Sequence, residues 1–222
     1  MDKIWLQSYE PGVPAEIDLH EYESLIDLFE KSVTCYRDRT AFICMGGSMT
    51  YGELDRLSRD FAAYLQSVLK LPRGERIAIM MPNVLQYPVC MIGALRAGYV
   101  VVNCNPLYKA RELEYQIRDC GAKSIVILEN FSRTVMKVVR RVPIDHVVVA
   151  KLGDMLGVKG LIVNWVVKYV KRLVPTWRLP NAVSFKHAMR EGRLAHFKPA
   201  SVRRDDIAFL QYTGGTTGVS KG

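Results

Sequence analysis

The last ten residues of the chain combine the residue types that bind anions. The stretch Thr213-Gly-Gly-Thr-Thr-Gly-Val-Ser-Lys-Gly222 holds four glycines, four hydroxyl residues and one lysine. Because glycine has no Cβ, backbone N–H groups of such a loop can approach an anion closely, and the hydroxyls can donate further hydrogen bonds. Lys221 adds a mobile positive charge. This chemistry suits a polyphosphate tail, and the candidate binding residues are Thr213, Gly214, Gly215, Thr216, Thr217, Gly218, Ser220, Lys221 and Gly222.

Three known loop motifs fit this stretch poorly. The P-loop pattern G-x-x-x-x-G-K-[ST] cannot be placed on it, and the dinucleotide fingerprint G-x-G-x-x-G is absent. Gly218-Val-Ser-Lys-Gly222 matches the G-x-S-x-G nucleophile elbow, but it begins well after the strand that would have to position the serine. We therefore reject a hydrolase elbow. From composition alone, a glycine-rich loop without a ligand remains an alternative.

The loop follows a series of short apolar runs that alternate with amphipathic stretches. The runs are continuous rather than alternating, which is typical of parallel strands buried on both faces. The intervening stretches carry apolar residues at intervals of three and four, which predicts helices. The fold class is therefore α/β, a layered and mostly parallel sheet with flanking helices. The predicted strands are Ala41–Cys44, Ser48–Tyr51, Arg76–Met81, Tyr99–Asn103, Ser124–Leu128, His146–Ala150 and Ile207–Tyr212.

The chain divides into three predicted parts. Residues 1–150 form an α/β subdomain, 151–204 form a basic insert with an amphipathic helix, and 205–222 form a strand and the start of the glycine-rich loop. Predicted helices cover Tyr22–Tyr36, Leu54–Val68, Lys109–Cys120, Phe131–Arg141, Leu161–Val174 and Phe185–Gly192, and one more ends near Gly98. A turn is predicted at Gly46-Gly47.

Composition excludes several classes of protein. The chain has 222 residues, 49% hydrophobic and 24% charged, with 16 Gly and 5 Cys, which excludes a wholly disordered, collagen-like or disulfide-scaffold protein. The odd number of cysteines and the lack of any C-x-x-C favour small buried thiols in a reducing compartment and argue against zinc. We also find no signal peptide and no apolar run long enough for a spanning helix.

The net charge of +9 comes from one region. Residues 1–150 are neutral overall, whereas residues 151–204 hold 12 basic and 2 acidic residues. Such a regional excess indicates one basic surface. A nucleic-acid partner is not expected, because no recognition motif accompanies the charge.

The predicted helix Leu161–Val174 has a narrow polar side. On a helical wheel its polar residues fall within roughly a 100° arc, and the rest of the surface is apolar. Such a helix is either buried on most sides within its own domain or lies in a membrane interface. Trp165, Lys168, Lys171 and Arg172 are the candidate membrane-surface residues, and an anionic lipid surface is the predicted partner.

Several other polar residues have a structural interpretation. Thr50 followed by Glu53 fits a capping box at a helix start. Asn103-Cys104-Asn105-Pro106 fits a turn after a strand, and Gly98 fits a helix C-cap. None of the four histidines is part of a recognisable catalytic pattern. We assign no catalytic residue and no metal ligand within these 222 residues.

Tyr212-Thr-Gly-Gly-Thr-Thr-Gly-Val-Ser-Lys-Gly222 resembles the phosphate-binding signature of the adenylate-forming enzymes. Two weaker motifs of that family stand upstream in the same order, at Met49–Leu54 and Leu95–Pro106. Over its whole length the chain is similar to the N-terminal part of bacterial long-chain fatty-acid–CoA ligases. Many relatives carry proline before the loop lysine, where this chain has Ser220.

The resemblance implies a ligase that uses ATP, Mg²⁺ and CoA. A long-chain fatty acid would form acyl-AMP, and the acyl group would then pass to CoA. The loop residues would hold the β- and γ-phosphates, and Lys221 the leaving pyrophosphate. Tyr212 would border the acyl or adenylate pocket, or else pack as an aromatic residue at the edge of the sheet.

The family's chain is more than twice as long, so its sites for Mg²⁺ and CoA are expected outside these residues. We therefore expect an incomplete N-terminal portion of the family's large domain, inactive in isolation. The alternative is a non-catalytic module for peripheral membrane or partner binding. The resemblance also implies a cytoplasmic protein at the inner face of the cell membrane, and it allows a homodimer.

Overall fold

The computed structural model describes residues 3–18 and 20–213 of the chain. The strands are β1 (Thr40–Cys44), β2 (Gly47–Thr50), β3 (Arg76–Met80), β4 (Val100–Asn103), β5 (Ser124–Leu128), β6 (His146–Ala150), β7 (Ala182–Ser184) and β8 (Phe209–Gln211). The helices are α1 (Leu25–Tyr36), α2 (Tyr51–Ala63), α3 (Gln86–Arg96), α4 (Ala110–Cys120), α5 (Ser132–Val138), α6 (Gly157–Trp165) and α7 (Phe185–Leu194). Short 3₁₀ turns cover Ile4–Ser8 and Glu129–Phe131, and π turns extend α2 and α6 over Tyr64–Val68 and Val166–Val170.

Six strands form one parallel sheet in the order β7-β6-β5-β3-β4-β8. The predicted α/β class with a parallel sheet and flanking helices is confirmed. The apolar runs became central strands because their side chains are buried alternately on both faces of the sheet. β1 and β2 form a separate antiparallel hairpin.

Each face of the sheet packs against its own set of helices. Ile77, Ile79 and Val126 lie in a core cluster with residues of α1, α2, α3 and α7. Ala78, Met80 and the alternate residues of β5 lie in a second cluster with residues of α4 and α5. The two-residue alternation of the strands thus supplies both cores.

Capping residues end or begin several helices as predicted. Thr50 caps α2 and forms the reciprocal capping box with Glu53. Gly121 ends α4 in the left-handed region at φ 65°, and Gly98 has φ 79° after α3. The predicted hairpin turn at Gly46-Gly47 was wrong by one residue: the turn is Met45-Gly46, with φ values of 50° and 74°. Two positive φ values in a two-residue turn match the right-handed twist of the flanking strands.

The segment 151–204 also contributes to the core. β7 pairs with β6, and α7 packs on α2 with Phe185 and Ala188 buried. β7 was not predicted, because three residues in a polar context give no periodic signal. The division of the chain at residues 150 and 204 stays a prediction.

Arg96 forms a buried ion pair that joins three helices. Its side chain at the end of α3 is 1% exposed, and Nη2 donates to Asp55 Oδ1 on α2 at 2.5 Å. Glu30 on α1 lies 3.7 Å away, and the guanidinium stands over the Phe29 ring. Burial lowers the pKa of Arg96, and its Nε and Nη1 have no partner among the described residues. The buried charge is therefore tolerated because of these partners, of which Asp55 is the nearest carboxylate and the least exposed.

We expect Asp55→Ala to lower the free energy of unfolding by about 3 kcal/mol or more, because it leaves the buried guanidinium without its main partner. Urea denaturation followed by circular dichroism measures this change. The control Asp205→Ala removes an exposed carboxylate and should change stability by less than about 0.5 kcal/mol. Equal effects of the two substitutions would contradict the role assigned to the ion pair.

The cysteines only partly fit the expectation of buried thiols. Cys90, Cys104 and Cys120 are buried, but Cys35 is exposed and Cys44 is half-buried. Burial raises the pKa of the three buried thiols, so they stay protonated and unreactive at neutral pH.

A thiol reagent such as Ellman's should therefore react fastest with Cys35, since the thiolate is the reactive form and Cys35 is the most accessible. The three buried thiols should react only after unfolding. Cys35→Ser should remove the fastest phase of the reaction, and persistence of that phase would contradict the burial pattern.

Candidate functional site

A cleft opens at the carboxyl ends of the central strands. The chain leaves β3 toward α3 on one face of the sheet, whereas it leaves β4 and β5 toward α4 and α5 on the other. Loops that diverge in this way leave a crevice, and ligands of open α/β sheets bind at such points. The cleft above β3, β4 and β8 has a volume of about 680 Å³.

Amide and phenol groups dominate the lining of this cleft. No lysine or arginine is among the lining side chains that the structure describes. The described lining alone therefore offers hydrogen bonds and one carboxylate, Glu112, but no positive charge to a ligand. Its polar residues are Asn83, Tyr87, Asn103, Asn105, Tyr108, Glu112, Gln211 and Tyr212.

Asn103 is the centre of a hydrogen-bond network at the floor of the cleft. Its Oδ1 accepts from the Tyr87 hydroxyl at 2.9 Å, and its Nδ2 donates to Gln211 Oε1 at 3.0 Å. Its backbone carbonyl accepts from Gln116 Nε2 on α4 at 2.9 Å. Asn103 thus connects α3, α4 and β8. The sequence analysis assigned it only to a turn.

Tyr212 follows β8 and packs into the second core cluster. It is 8% exposed, and its hydroxyl donates to Asp119 Oδ2 at 2.5 Å. Burial and the hydrogen bond to Asp119 raise the pKa of the phenol, so Tyr212 remains a neutral donor. Of its two predicted roles, the structure describes packing at the sheet edge, while part of the ring also lines the cleft.

Thr213 is the last described residue, and it is exposed. It follows Tyr212 at the carboxyl edge of the sheet, beside the cleft. Gly214, Gly215, Thr216, Thr217, Gly218, Lys221 and Gly222 lie outside the described residues. The predicted cradle for phosphates therefore stays a prediction.

The candidate membrane helix differs from its predicted extent. α6 with its π turn covers residues 157–170, not Leu161–Val174. Arg172 has φ 51°, so Lys171 and Arg172 lie beyond the helix rather than on its polar arc. Gly160 of α6 packs against the Gly153 backbone, where a Cβ would collide. Periodicity could not show this close backbone contact, which fixes where the helix lies.

The apolar side of α6 faces outward. Leu161 is 63% exposed and Trp165 is 57% exposed, and Tyr169 packs beside Trp165. Within residues 157–170 only Gly160 and Val167 are buried. The described residues therefore do not bury this helix on most sides. Lys168, Lys171 and Arg172 are exposed at the same end of the segment.

Lys168 also acts on a buried carboxylate. Glu129, at the end of β5, is 4% exposed, and burial raises the pKa of its carboxyl. The charges of Lys151 and Lys168 oppose that increase, while Asp154 adds to it. Lys168 thus has an electrostatic role within the fold in addition to its exposure.

Sequence reasoning missed the residues that hold the ends of β4 and β8. Asn103, Gln116, Asp119 and Gln211 bear no motif, and those of α4 lie far along the chain from Gln211. The available signal was positional: Asn103 ends a predicted strand, Gln211 lies one residue before the end of another, and carboxyl ends of parallel strands share one edge.

Comparison with known proteins identifies a matching family profile and similar sequences. The sequence profile described as AMP-binding enzyme matches residues 29–222. The chain is 54% identical over 224 residues to a long-chain-fatty-acid–CoA ligase of Salmonella typhimurium, covering 100% of this chain and 40% of that protein. A long-chain-fatty-acid–CoA ligase of Haemophilus influenzae is 50% identical over 223 residues, with the same coverage. The chain therefore spans about 40% of the length of these relatives.

Solved structures share the fold at lower sequence identity. A long-chain-fatty-acid-CoA ligase from Archaeoglobus fulgidus has a TM-score of 0.68 at 22% identity, covering 95% of this chain and 38% of that one. The anthranilate CoA ligase AuaEII, solved with anthranoyl-AMP, has a TM-score of 0.71 at 21% identity, covering 90% and 34%. These matches establish the fold only.

Proposed function

The chain belongs to the AMP-binding enzyme family, and on this basis we propose that the whole protein is an AMP-forming long-chain-fatty-acid–CoA ligase. In the first step a fatty carboxylate oxygen attacks the α-phosphorus of ATP, the α–β phosphoanhydride bond breaks and pyrophosphate leaves. In the second step the CoA sulfur attacks the acyl carbon, the thiol loses its proton and AMP leaves. The observation that carries the proposal is the glycine-rich signature that follows β8 in the sequence, directly after Tyr212, which lines the cleft at the carboxyl edge.

The chain's own residues would act in the first step by binding and orienting ATP. Thr213, Gly214, Gly215, Thr216, Thr217 and Gly218 would donate hydrogen bonds to the β- and γ-phosphates, and Lys221 would neutralise the leaving pyrophosphate. Because the described cleft lining has no lysine or arginine, the loop itself is the proposed source of positive charge. The described part of the cleft offers amides, phenols and one carboxylate, Glu112, to polar groups of the substrates.

Mg²⁺ is part of the proposal for the whole protein. Among residues 3–18 and 20–213, no three or more His, Cys, Asp or Glu side chains are grouped so that they could hold a metal ion. We assign none of these residues to magnesium.

The proposal is tested in the full-length protein that carries this chain by exchange of labelled pyrophosphate into ATP. We expect exchange that requires a long-chain fatty acid, and release of AMP when CoA is added. Lys221→Ala should slow exchange by about a hundredfold, because a charge that stabilises the transition state is lost.

Lys137→Ala is the matched control, since it removes an exposed lysine on α5 and should leave the rate unchanged. Exchange without fatty acid, or release of ADP instead of AMP, would contradict the proposed reaction. The 222 residues alone are expected to form no acyl-AMP.

We also propose that the surface of α6 binds anionic membranes, with Trp165, Lys168, Lys171 and Arg172 at the contact. Support comes from the outward apolar side of the helix and from the basic residues at its end. Tryptophan and tyrosine are favoured at the boundary between headgroups and acyl chains, and basic residues attract anionic lipids. Among the described residues, no helix is both long and apolar enough to cross a membrane.

Vesicle sedimentation of the full-length protein tests this surface. Lys171→Glu should weaken binding to vesicles containing phosphatidylglycerol by roughly tenfold or more, since each basic residue contributes about 1 kcal/mol near such a surface. Trp165→Ser should weaken binding to vesicles with and without phosphatidylglycerol, because it removes apolar contact. Lys168 is left unchanged, since its charge also acts on Glu129.

Lys137→Glu and Ile43→Ser are the matched controls, because they change an exposed charge and an exposed apolar residue elsewhere. Binding that is unchanged in Lys171→Glu and Trp165→Ser would overturn the proposal. A loss of thermal stability in Trp165→Ser without weaker vesicle binding would instead indicate that further protein covers α6.

A further inference from the structure

We infer that α4 acts as a clamp on the start of the glycine-rich loop and that Asp119 is a positioning residue for that loop. The functional part of this inference rests on the proposed function, because it assumes that the loop binds ATP. Neither Asp119 nor any other α4 residue carries a nucleotide-binding signature.

β8 needs support because it is short and lies at the edge of the sheet. It has three residues and, within the part of the chain that the structure describes, pairs only with β4, through the registers Val101↔Phe209, Val102↔Leu210 and Asn103↔Gln211. The ends of such strands open locally at little cost in free energy. The loop begins two residues after this strand, so any opening would move its first hydrogen-bond donor.

Two side chains of α4 hold the ends of β4 and β8 at the same time. Gln116 donates to the Asn103 carbonyl at the end of β4, and Asp119 accepts from the Tyr212 hydroxyl just after β8. Residues three apart on a helix lie on the same side, so Gln116 and Asp119 form one continuous contact surface. The Tyr212 ring is buried against the second core cluster, which fixes its orientation.

The opposite side of β8 is held by the cleft network. Successive residues of a strand point to opposite faces, so Gln211 turns away from the Tyr212 side. Its Oε1 accepts from Asn103, whose own Oδ1 is held by Tyr87. The exit of β8 is therefore fixed on both faces, immediately before Thr213. A displacement of about 1 Å at a positioned donor can cost up to a hundredfold in rate.

The experiment compares Asp119→Ala, Tyr212→Phe and the double variant in the full-length protein. Each single variant should raise the KM for ATP about tenfold, the size expected for loss of a hydrogen bond to a charged group. The KM for the fatty acid should stay unchanged in Asp119→Ala, because Asp119 does not line the cleft. The double variant should be no worse than either single variant, since both remove the same hydrogen bond. Asp119→Asn should restore most of the ATP affinity, because its amide oxygen can still accept from the phenol.

Glu114→Ala is the matched control. Glu114 lies on the same helix and pairs with Arg118 and Arg141 at the surface, away from β8. This variant should leave the KM for ATP unchanged, which separates positioning of the loop from general stability of α4.

Hydrogen–deuterium exchange of the peptide covering residues 205–213 provides a readout that does not depend on activity. Asp119→Ala should speed exchange in this peptide, and Glu114→Ala should not. Unchanged exchange, or unchanged KM for ATP in an active protein, would overturn the inference. Absence of fatty-acid-dependent pyrophosphate exchange in the unaltered protein would overturn the proposed function, while the deuterium exchange still decides whether Asp119 holds β8.

Discussion

The central parallel sheet is covered by helices on both faces, and this constraint determines where polar side chains can lie. In β3, β4 and β5 nearly every side chain is buried on one face or the other, so the interior positions of these strands are apolar and their polar residues, Arg76, Asn103 and Ser124, lie at strand ends. A polar residue at an interior position would lose its hydration without a partner. Amides and carboxylates are therefore confined to the strand ends, where Asn103 and Glu129 lie. The polar lining of the cleft at the carboxyl edge is a direct consequence of this confinement.

The path of the chain adds a second constraint, because β7 and β8 lie at opposite edges of the sheet. The segment between α7 and β8, residues 195–208, passes the π turn after α2 and the loop before β3. Side chains of those two regions bind it. Gln66 donates to the Lys198 carbonyl, Ser67 to the His196 carbonyl, and Arg73 pairs with Asp206. These contacts fix the chain that leads into β8. The carboxyl end of β8 is held by α4 and the cleft network.

The parts of the fold that could be predicted are those with a local physical signature. Continuous apolar runs identified the central strands, and the spacing of Thr50 and Glu53 identified a helix start. The glycine-rich loop was identified by composition and motif. β7 was missed because it is three residues long at an edge. The contact of Asp119 with Tyr212 spans 93 residues of sequence, and no local pattern encodes such a pairing.

The outward apolar side of α6 follows from the way the helix is attached. Gly160 meets the Gly153 backbone, and Asn164 Oδ1 accepts from the Gly153 N–H at 2.8 Å. The attached side of the helix thus combines small and polar residues in close backbone contact with the buried Val167. Beyond the helix, the Leu173 carbonyl accepts from Asn130. Because this attachment uses none of the large side chains, Leu161, Trp165 and Tyr169 remain available on the surface. An attachment through backbone contacts can hold such a helix in place without burying its apolar side.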